Sequence, residues 1–163
     1  VHRFKLQKKQ RKKKKRNLYL SRVFFMAYIV AMTYFLFWGD DRDVMIDYRY
    51  NLEPFKEIMR FYKFRNIVGI YSFILNIAGN ILAFMPFGFL IPIVADGKSG
   101  FFKTSALSFL FTLCIEITQL VTKLGVFDVD DIILNTCGGI VGYIFYTVYR
   151  AIRKEKGNAF KKK

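Results

Sequence analysis

Glu116-Ile-Thr-Gln119, a short turn, and then Phe127-Asp-Val-Asp-Asp131 running into Ile132-Ile-Leu-Asn135-Thr-Cys-Gly-Gly139-Ile-Val-Gly142 is the stretch that decides the fold. It puts a carboxylate and an amide inside one strongly apolar segment, and three carboxylates and an amide at the mouth of the next. Both segments are long enough to be read as membrane spans. Ionisable groups at such depths are costly and mark functional sites by default.

The rest of the chain fits a membrane reading. Of 163 residues, 53% are hydrophobic and 18% aromatic, too apolar for most soluble domains of this size. The net charge of +15 is gathered in blocks that flank apolar runs, which is the pattern of membrane topology signals. Nucleic acid is not an expected partner, because no stacking module accompanies the basic blocks. His2, in the basic tail, is the single histidine, which removes histidine-based phosphatase and zinc-protease chemistry from any site in the apolar part. Cys114 and Cys137 lack metal or redox spacing and are expected to be small buried hydrophobes.

In chain order, residues 1–17 form a basic tail with ten Lys or Arg in the first sixteen positions, unable to fold alone and suited to gripping anionic inner-leaflet head groups. Leu18 to Trp38 is the first span, with no polar group in its middle, and is expected at the edge of the bundle. It reaches Trp38 with no small-residue cleavage site after it, so it is expected to remain as an anchor. In the Gly39 to Asn66 loop, Pro54 can open a short helix whose Phe55, Ile58, Met59 and Tyr62 share one apolar face. That helix is expected to lie in the membrane interface, with packing over the bundle mouth as the alternative. Ile67 to Ala95 holds the second span, expected to run to about Phe84 and continue kinked or re-entrant past Pro86 and Pro92. Phe102 to Thr122 and Ile132 to Tyr149 are the third and fourth, and residues 151–163 close the chain as a second basic tail.

The expected fold is therefore an all-α integral membrane protein: a bundle of four transmembrane helices, multi-pass in the cell membrane. Lys and Arg outnumber their counterparts on the side that would carry both tails and the Lys98–Lys103 turn. Both termini are expected to be cytoplasmic, with the long loop and the Asp128 turn outside.

Helical spacing gathers the polar residues into stripes. Ser105, Ser108, Thr112, Glu116, Gln119 and Lys123 share one face of the third span; Asp128, Asp131, Asn135, Gly138 and Gly142 share one of the fourth; Ser72, Asn76, Asn80 and Ala83 share one of the second. By the rise of a helix, Glu116 lies well above the cytoplasmic start of its helix and Asn76 a few turns below the outer end of its own. The stripes converge in the outer half, and an outward-facing polar pocket is expected there. Its ligand-binding residues would be Asn76, Asn80, Glu116, Gln119, Asp128, Asp131 and Asn135. Gly138 and Gly142 have the small-x-x-x-small spacing of close helix packing. Asp128 precedes a helix and could serve only as its N-cap, while Glu116 needs a partner such as Lys123 or a proton.

Asn76-x-x-x-Asn80-x-x-x-Phe84-x-Pro86-x-Gly88, Glu116-x-x-Gln119 and Phe127-Asp128-x-Asp130-Asp131-x-x-x-Asn135-x-x-Gly138, in that order, resemble the VanZ-like membrane proteins, a family named for a teicoplanin-resistance protein. Asn51-Leu-x-Pro54-Phe55 adds to the likeness, which covers residues 18–150. Where the family often has an arginine before the Phe-Asp turn, this chain has Gly125 and Val126, with Lys123 the nearest cation, so no anion-binding arginine carries over. The resemblance implies a cell-envelope setting and reduced susceptibility to glycopeptides that bind lipid-linked precursors.

Three functional readings follow. In the preferred one the pocket binds a lipid-linked envelope precursor or a glycopeptide-related component. In the second, Glu116 is the acid or base of an intramembrane enzyme, with Asp128 and Asp131 holding Mg²⁺. In the third the chain is a structural anchor and its amides only stabilise the bundle.

Overall fold

The computed structural model describes residues 2–38, 44–64 and 70–159. It is helical apart from one parallel bridge between two-residue strands. In chain order the elements are α1 (His2–Trp38), β1 (Tyr50–Asn51), α2 (Lys56–Lys63), α3 (Ile70–Val94), α4 (Phe101–Thr122), β2 (Phe127–Asp128) and α5 (Val129–Ala159). Four of these helices, α1, α3, α4 and α5, are long and apolar enough to cross a membrane. Large side chains such as Phe24, Val30, Phe35, Leu110, Val121 and Phe145 stand exposed on the outside of the bundle. Such a surface is an aggregation hazard in water and an ordinary one in lipid. The protein is a multi-pass membrane protein.

Packing is tightest around α5, and glycine is the reason. A Cβ at Gly88 of α3 would lie 1.8 Å from the Gly139 carbonyl oxygen, one at Gly138 2.4 Å from that of Ile81, and one at Gly142 2.0 Å from that of Met85. The backbones of α3 and α5 therefore touch, which only small residues allow. On its other flank α5 meets α4, where a Cβ at Gly139 would lie 2.1 Å from Ser108 Oγ. Gly88 and Gly139 thus join Gly138 and Gly142 in setting the helix spacing.

α1 packs at the edge, as its sequence suggests, with Met32 and Phe37 its buried apolar contributions to a core shared with Phe84 and Ile115. Phe25 meets Phe87 at 5.6 Å between ring centroids, and Phe87 stacks on Phe111 at 4.6 Å. Tyr28 Oη donates to the Ala83 carbonyl at 2.6 Å.

Several expectations need correction. The basic tail is helical and continues into the first span, α1 running unbroken from His2. Lys, Arg and Gln are good helix formers, and extending a helix already nucleated by the span is far easier than starting one. α3 continues past Phe84 through Pro86 and Pro92 to Val94 as one helix, not as a re-entrant end. Each proline removes one donor, to the carbonyls of Leu82 and Gly88, and the surrounding helices hold the rest of the turn in place. Cys114 and Cys137 are exposed rather than buried, because a chain that spans a membrane can leave apolar thiols on its outer face. Among the expected residues, the side chains of Ser72 and Trp38 lie outside those described.

At one end of the bundle, Lys14 Nζ pairs with Asp96 at 2.8 Å and Arg22 Nε donates to the Val94 carbonyl at 3.3 Å, fastening α1 to the α3–α4 turn. That ion pair holds the Asp96 carboxyl below its ordinary range. At the opposite end, residues 44–64 are fastened to the α4–α5 turn. Tyr50 and Asn51 pair with Phe127 and Asp128, Met45 N–H donates to the Lys123 carbonyl at 2.9 Å, and Lys123 Nζ reaches the Ile46 carbonyl at 2.8 Å.

Candidate functional site

The buried face of α4 consists of Thr104, Ser108, Thr112, Ile115, Glu116 and Gln119. A helix places these on one stripe because they advance by three or four. The observed stripe keeps the centre of the expected one and differs at both ends. Thr104 replaces Ser105, whose hydroxyl turns back to the Phe101 carbonyl. Lys123 ends the helix in the left-handed region at φ 57°. Its ammonium goes to the Ile46 carbonyl and lies 4.6 Å above the Tyr48 ring. Lys123 is therefore committed to the 44–64 segment rather than to Glu116.

Glu116 is 2% exposed. Its Oε2 accepts the Asp128 backbone N–H at 2.9 Å, so the carboxylate spans the α4–α5 turn and holds the entry to α5. Its Oε1 receives no hydrogen bond among the described residues. Asp128 caps α5, its Oδ1 accepting the Asp130 N–H at 2.8 Å, the two-residue reach of an N-cap side chain. The same oxygen accepts from Asn51 Nδ2 at 3.0 Å. Partial burial pushes the Asp128 carboxyl above its ordinary range, against the pull of those two donors.

Asp130 is the residue that sequence reasoning missed. It is 1% exposed, and its carboxylate leaves its own helix to cap another. Oδ1 accepts the Phe55 N–H; Oδ2 accepts those of Glu57 at 2.9 Å and Ile58 at 3.1 Å. α2 has no capping side chain of its own, because Phe55, at φ 66°, stands where Ser, Thr, Asp or Asn would. An uncapped helix start at Pro54-Phe55-Lys56, facing three acids in Phe127-Asp-Val-Asp-Asp131, is the signal that points to a cap supplied from elsewhere in the chain. α2 is docked at its N-terminus over the bundle mouth, while Phe55, Met59 and Tyr62 remain exposed along its side.

The amides divide. Asn80 Nδ2 donates to Asp131 Oδ1 at 2.6 Å, joining α3 to α5. Asn135 is 4% exposed; its Nδ2 donates to Thr112 Oγ1 at 2.9 Å, and its buried Oδ1 has no partner among the described residues. Gln119, 7% exposed, packs against Gly125, where an added Cβ would lie 3.1 Å from the Gln119 side chain. Asn76 is half-buried and makes no side-chain hydrogen bond among the described residues. Thus Glu116, Asp128, Asp131, Asn80 and Asn135 are brought to one end of the bundle by direct bonds between α3, α4, α5 and the 44–64 segment, and Asn76 is not.

Among the described residues no three His, Cys, Asp or Glu side chains form a metal-ligand group. Asp128 and Asp131 already accept hydrogen bonds, so a Mg²⁺ there would draw most of its shell from water or substrate oxygens. The two leading cavities, of about 990 and 580 Å³, include none of Glu116, Asp128, Asp131 or Asn135. Within the cluster Glu116, Asp130 and Asn135 are buried, while Asp128 and Asp131 are partly exposed.

Residues 24–150 match the VanZ/LLP1 family model. The chain is 27% identical over 132 residues to Protein VanZ of Enterococcus faecium, covering 78% of this chain and 73% of that protein. No solved structure matches it. With the family model spanning most of the chain, the protein belongs to the VanZ/LLP1 family.

Proposed function

We propose that this protein binds a cell-envelope component, lipid-linked or glycopeptide-related, at the Glu116 cluster, and that binding changes susceptibility to glycopeptides such as teicoplanin. Both termini are cytoplasmic in this reading, so the cluster and the 44–64 segment face outward, with the exposed side of α2 in the membrane interface. The asymmetry of Lys and Arg supports that orientation: the end carrying the two tails also carries Lys98 and Lys103.

One observation carries the proposal. Glu116 is a carboxylate buried inside a spanning helix, fixed through one oxygen by the Asp128 N–H, with Lys123 turned elsewhere. Its second oxygen and the unpartnered Asn135 Oδ1 supply acceptors for an amine or hydroxyl of a ligand admitted when the 44–64 segment lifts. Asn80, Gln119, Asp128 and Asp131 line the way in, with Asn76 one turn nearer the outer end of α3; a Mg²⁺ at this mouth would be held by Asp128 and Asp131 and would supply charge for an anionic group of the ligand.

The structural reading is also favoured by an observation: each of Glu116, Asp128 and Asp130 bonds a backbone N–H. The two separate in a teicoplanin-susceptibility assay in a strain lacking the protein. Glu116→Gln keeps an acceptor for the Asp128 N–H, so membrane abundance is expected to stay at the wild-type level while the change in susceptibility is lost. Equal loss of abundance and phenotype would favour the anchor, and an unaltered phenotype would remove Glu116 from the site. Turnover of a labelled lipid-linked precursor by purified protein, absent in Glu116→Gln, would replace binding by catalysis.

A further inference from the structure

A second feature, a groove, lies at the other end of the bundle. It has a volume of about 990 Å³ and runs between the basic part of α1, the end of α3 and the last turns of α5. Among the described residues five cations line it, Lys13, Lys14, Arg150, Arg153 and Lys154, and one acid, Asp96, with which Lys14 already pairs at 2.8 Å. The other four make no ion pair among the described residues. Arg153 Nη1 donates to Tyr149 Oη at 3.3 Å, which turns the guanidinium along the helix toward the groove's phenols.

The position of these charges is as telling as their number. α1 and α5 are both continuous helices here, so the cations are mounted on two rigid rods at the level where the apolar spans begin. Just inside them the groove is walled by Leu18, Ile93 and Tyr146. A basic rim over an apolar wall fits a molecule with a phosphate at one end and hydrocarbon at the other. A soluble anion would use the rim alone, and nucleic acid would leave the apolar wall unused.

We propose that this groove is a binding site for the phosphate head group of an anionic phospholipid, with an acyl chain lying against the apolar wall. Basic pockets between spanning helices on the cytoplasmic side bind such head groups, and guanidinium forks match phosphate oxygens two at a time. The site is separate from the Glu116 cluster and does not depend on what that cluster binds.

The test is native mass spectrometry of the purified full chain with phosphatidylglycerol or phosphatidylcholine, for wild type, Arg150→Gln/Arg153→Gln, and Lys8→Gln/Lys9→Gln. The last pair removes equal charge from the same end of the molecule but lies off the groove. Wild type is expected to retain phosphatidylglycerol in preference to phosphatidylcholine. The arginine pair is expected to weaken that retention about tenfold, and the lysine pair to leave it within about twofold. Equal losses in both pairs would show diffuse attraction and overturn the site, as would equal retention of the two lipids. Release of bound phosphatidylglycerol by inorganic phosphate at constant ionic strength would reassign the groove to a free ion.

Discussion

Removing the Asp130 carboxylate should undock α2 without unfolding the bundle. Three N–H groups, of Phe55, Glu57 and Ile58, end on this one side chain. Hydrogen bonds to a charged acceptor contribute about 1.5–3 kcal/mol each, but burying the carboxylate offsets part of that gain. A net loss of about 3 kcal/mol is expected for Asp130→Ala, which also leaves the first turn of α2 uncapped. Asp130→Asn keeps one acceptor oxygen. It can still serve Glu57 and Ile58, while its NH₂ group meets the Phe55 N–H donor to donor, and the expected loss is about 1.4 kcal/mol, or tenfold in the docked population. Hydrogen–deuterium exchange of the protein in nanodiscs reads this directly. Amides from residues 55–62 should exchange about tenfold faster in Asp130→Asn and about 100-fold faster in Asp130→Ala, with α4 and the middle of α5 unchanged. Protection of α2 that survives Asp130→Ala would refute the trans-cap. Acceleration spread evenly over the bundle would show instead that Asp130 holds the fold as a whole.

Other expectations follow from the same contacts. Gly88→Ala should abolish stable membrane accumulation, since its Cβ would fall 1.8 Å from the Gly139 carbonyl oxygen, whereas Gly79→Ala meets nothing within 4 Å and should accumulate normally; fluorescence-detected gel filtration of both variants decides it. Tyr28→Phe loses the bond to the Ala83 carbonyl and should lower stability by about 0.5–1.5 kcal/mol in detergent unfolding, and no change would mean that the carbonyl finds another donor. Asp128 has a folded-state pKa above its unfolded value. Its contribution to stability is fully present below the unfolded value and is lost as pH rises through the folded one. Asp128→Asn keeps the cap and removes the titration, so the melting temperature of wild type should fall relative to the variant as pH climbs from the acid range toward neutrality, and parallel curves would contradict this.

Much of the architecture was legible because membrane spans are written locally. Twenty apolar residues, flanked by basic blocks, suffice to mark a helix, and spacing by three and four suffices to mark its polar face. That is why the centre of the α4 stripe, Ser108 through Gln119, was readable. Its ends were not, because they depend on chain beyond the helix. Lys123 leaves the stripe by adopting a left-handed conformation and reaching the 44–64 segment, a contact across 77 residues. The role of Asp130 was hidden for the same reason: helical spacing sets it off the Asp128, Asp131 and Asn135 face, and its partners lie more than 70 residues away.

That long-range pairing changes how the three aspartates divide the work. Asp128 caps its own helix, Asp130 caps α2, and Asp131 bonds the Asn80 amide across to α3. Successive residues at the start of a helix point about 100° apart, so an Asp-x-Asp-Asp run can serve three neighbours from a single turn. Glu116 joins the same turn from α4 by holding the Asp128 N–H. The carboxylates therefore form one joint that ties the 44–64 segment, α3, α4 and α5 together at the same end of the bundle. A ligand that competed for Glu116 would pull on the Asp128 amide, and through the Asp128 cap on the start of α5 that carries Asp130. If the proposed ligand binds at Glu116, its binding would be linked to release of the α2 cap, and the expected outcome is faster exchange in residues 55–62 of wild type with no effect on the already undocked Asp130→Ala variant.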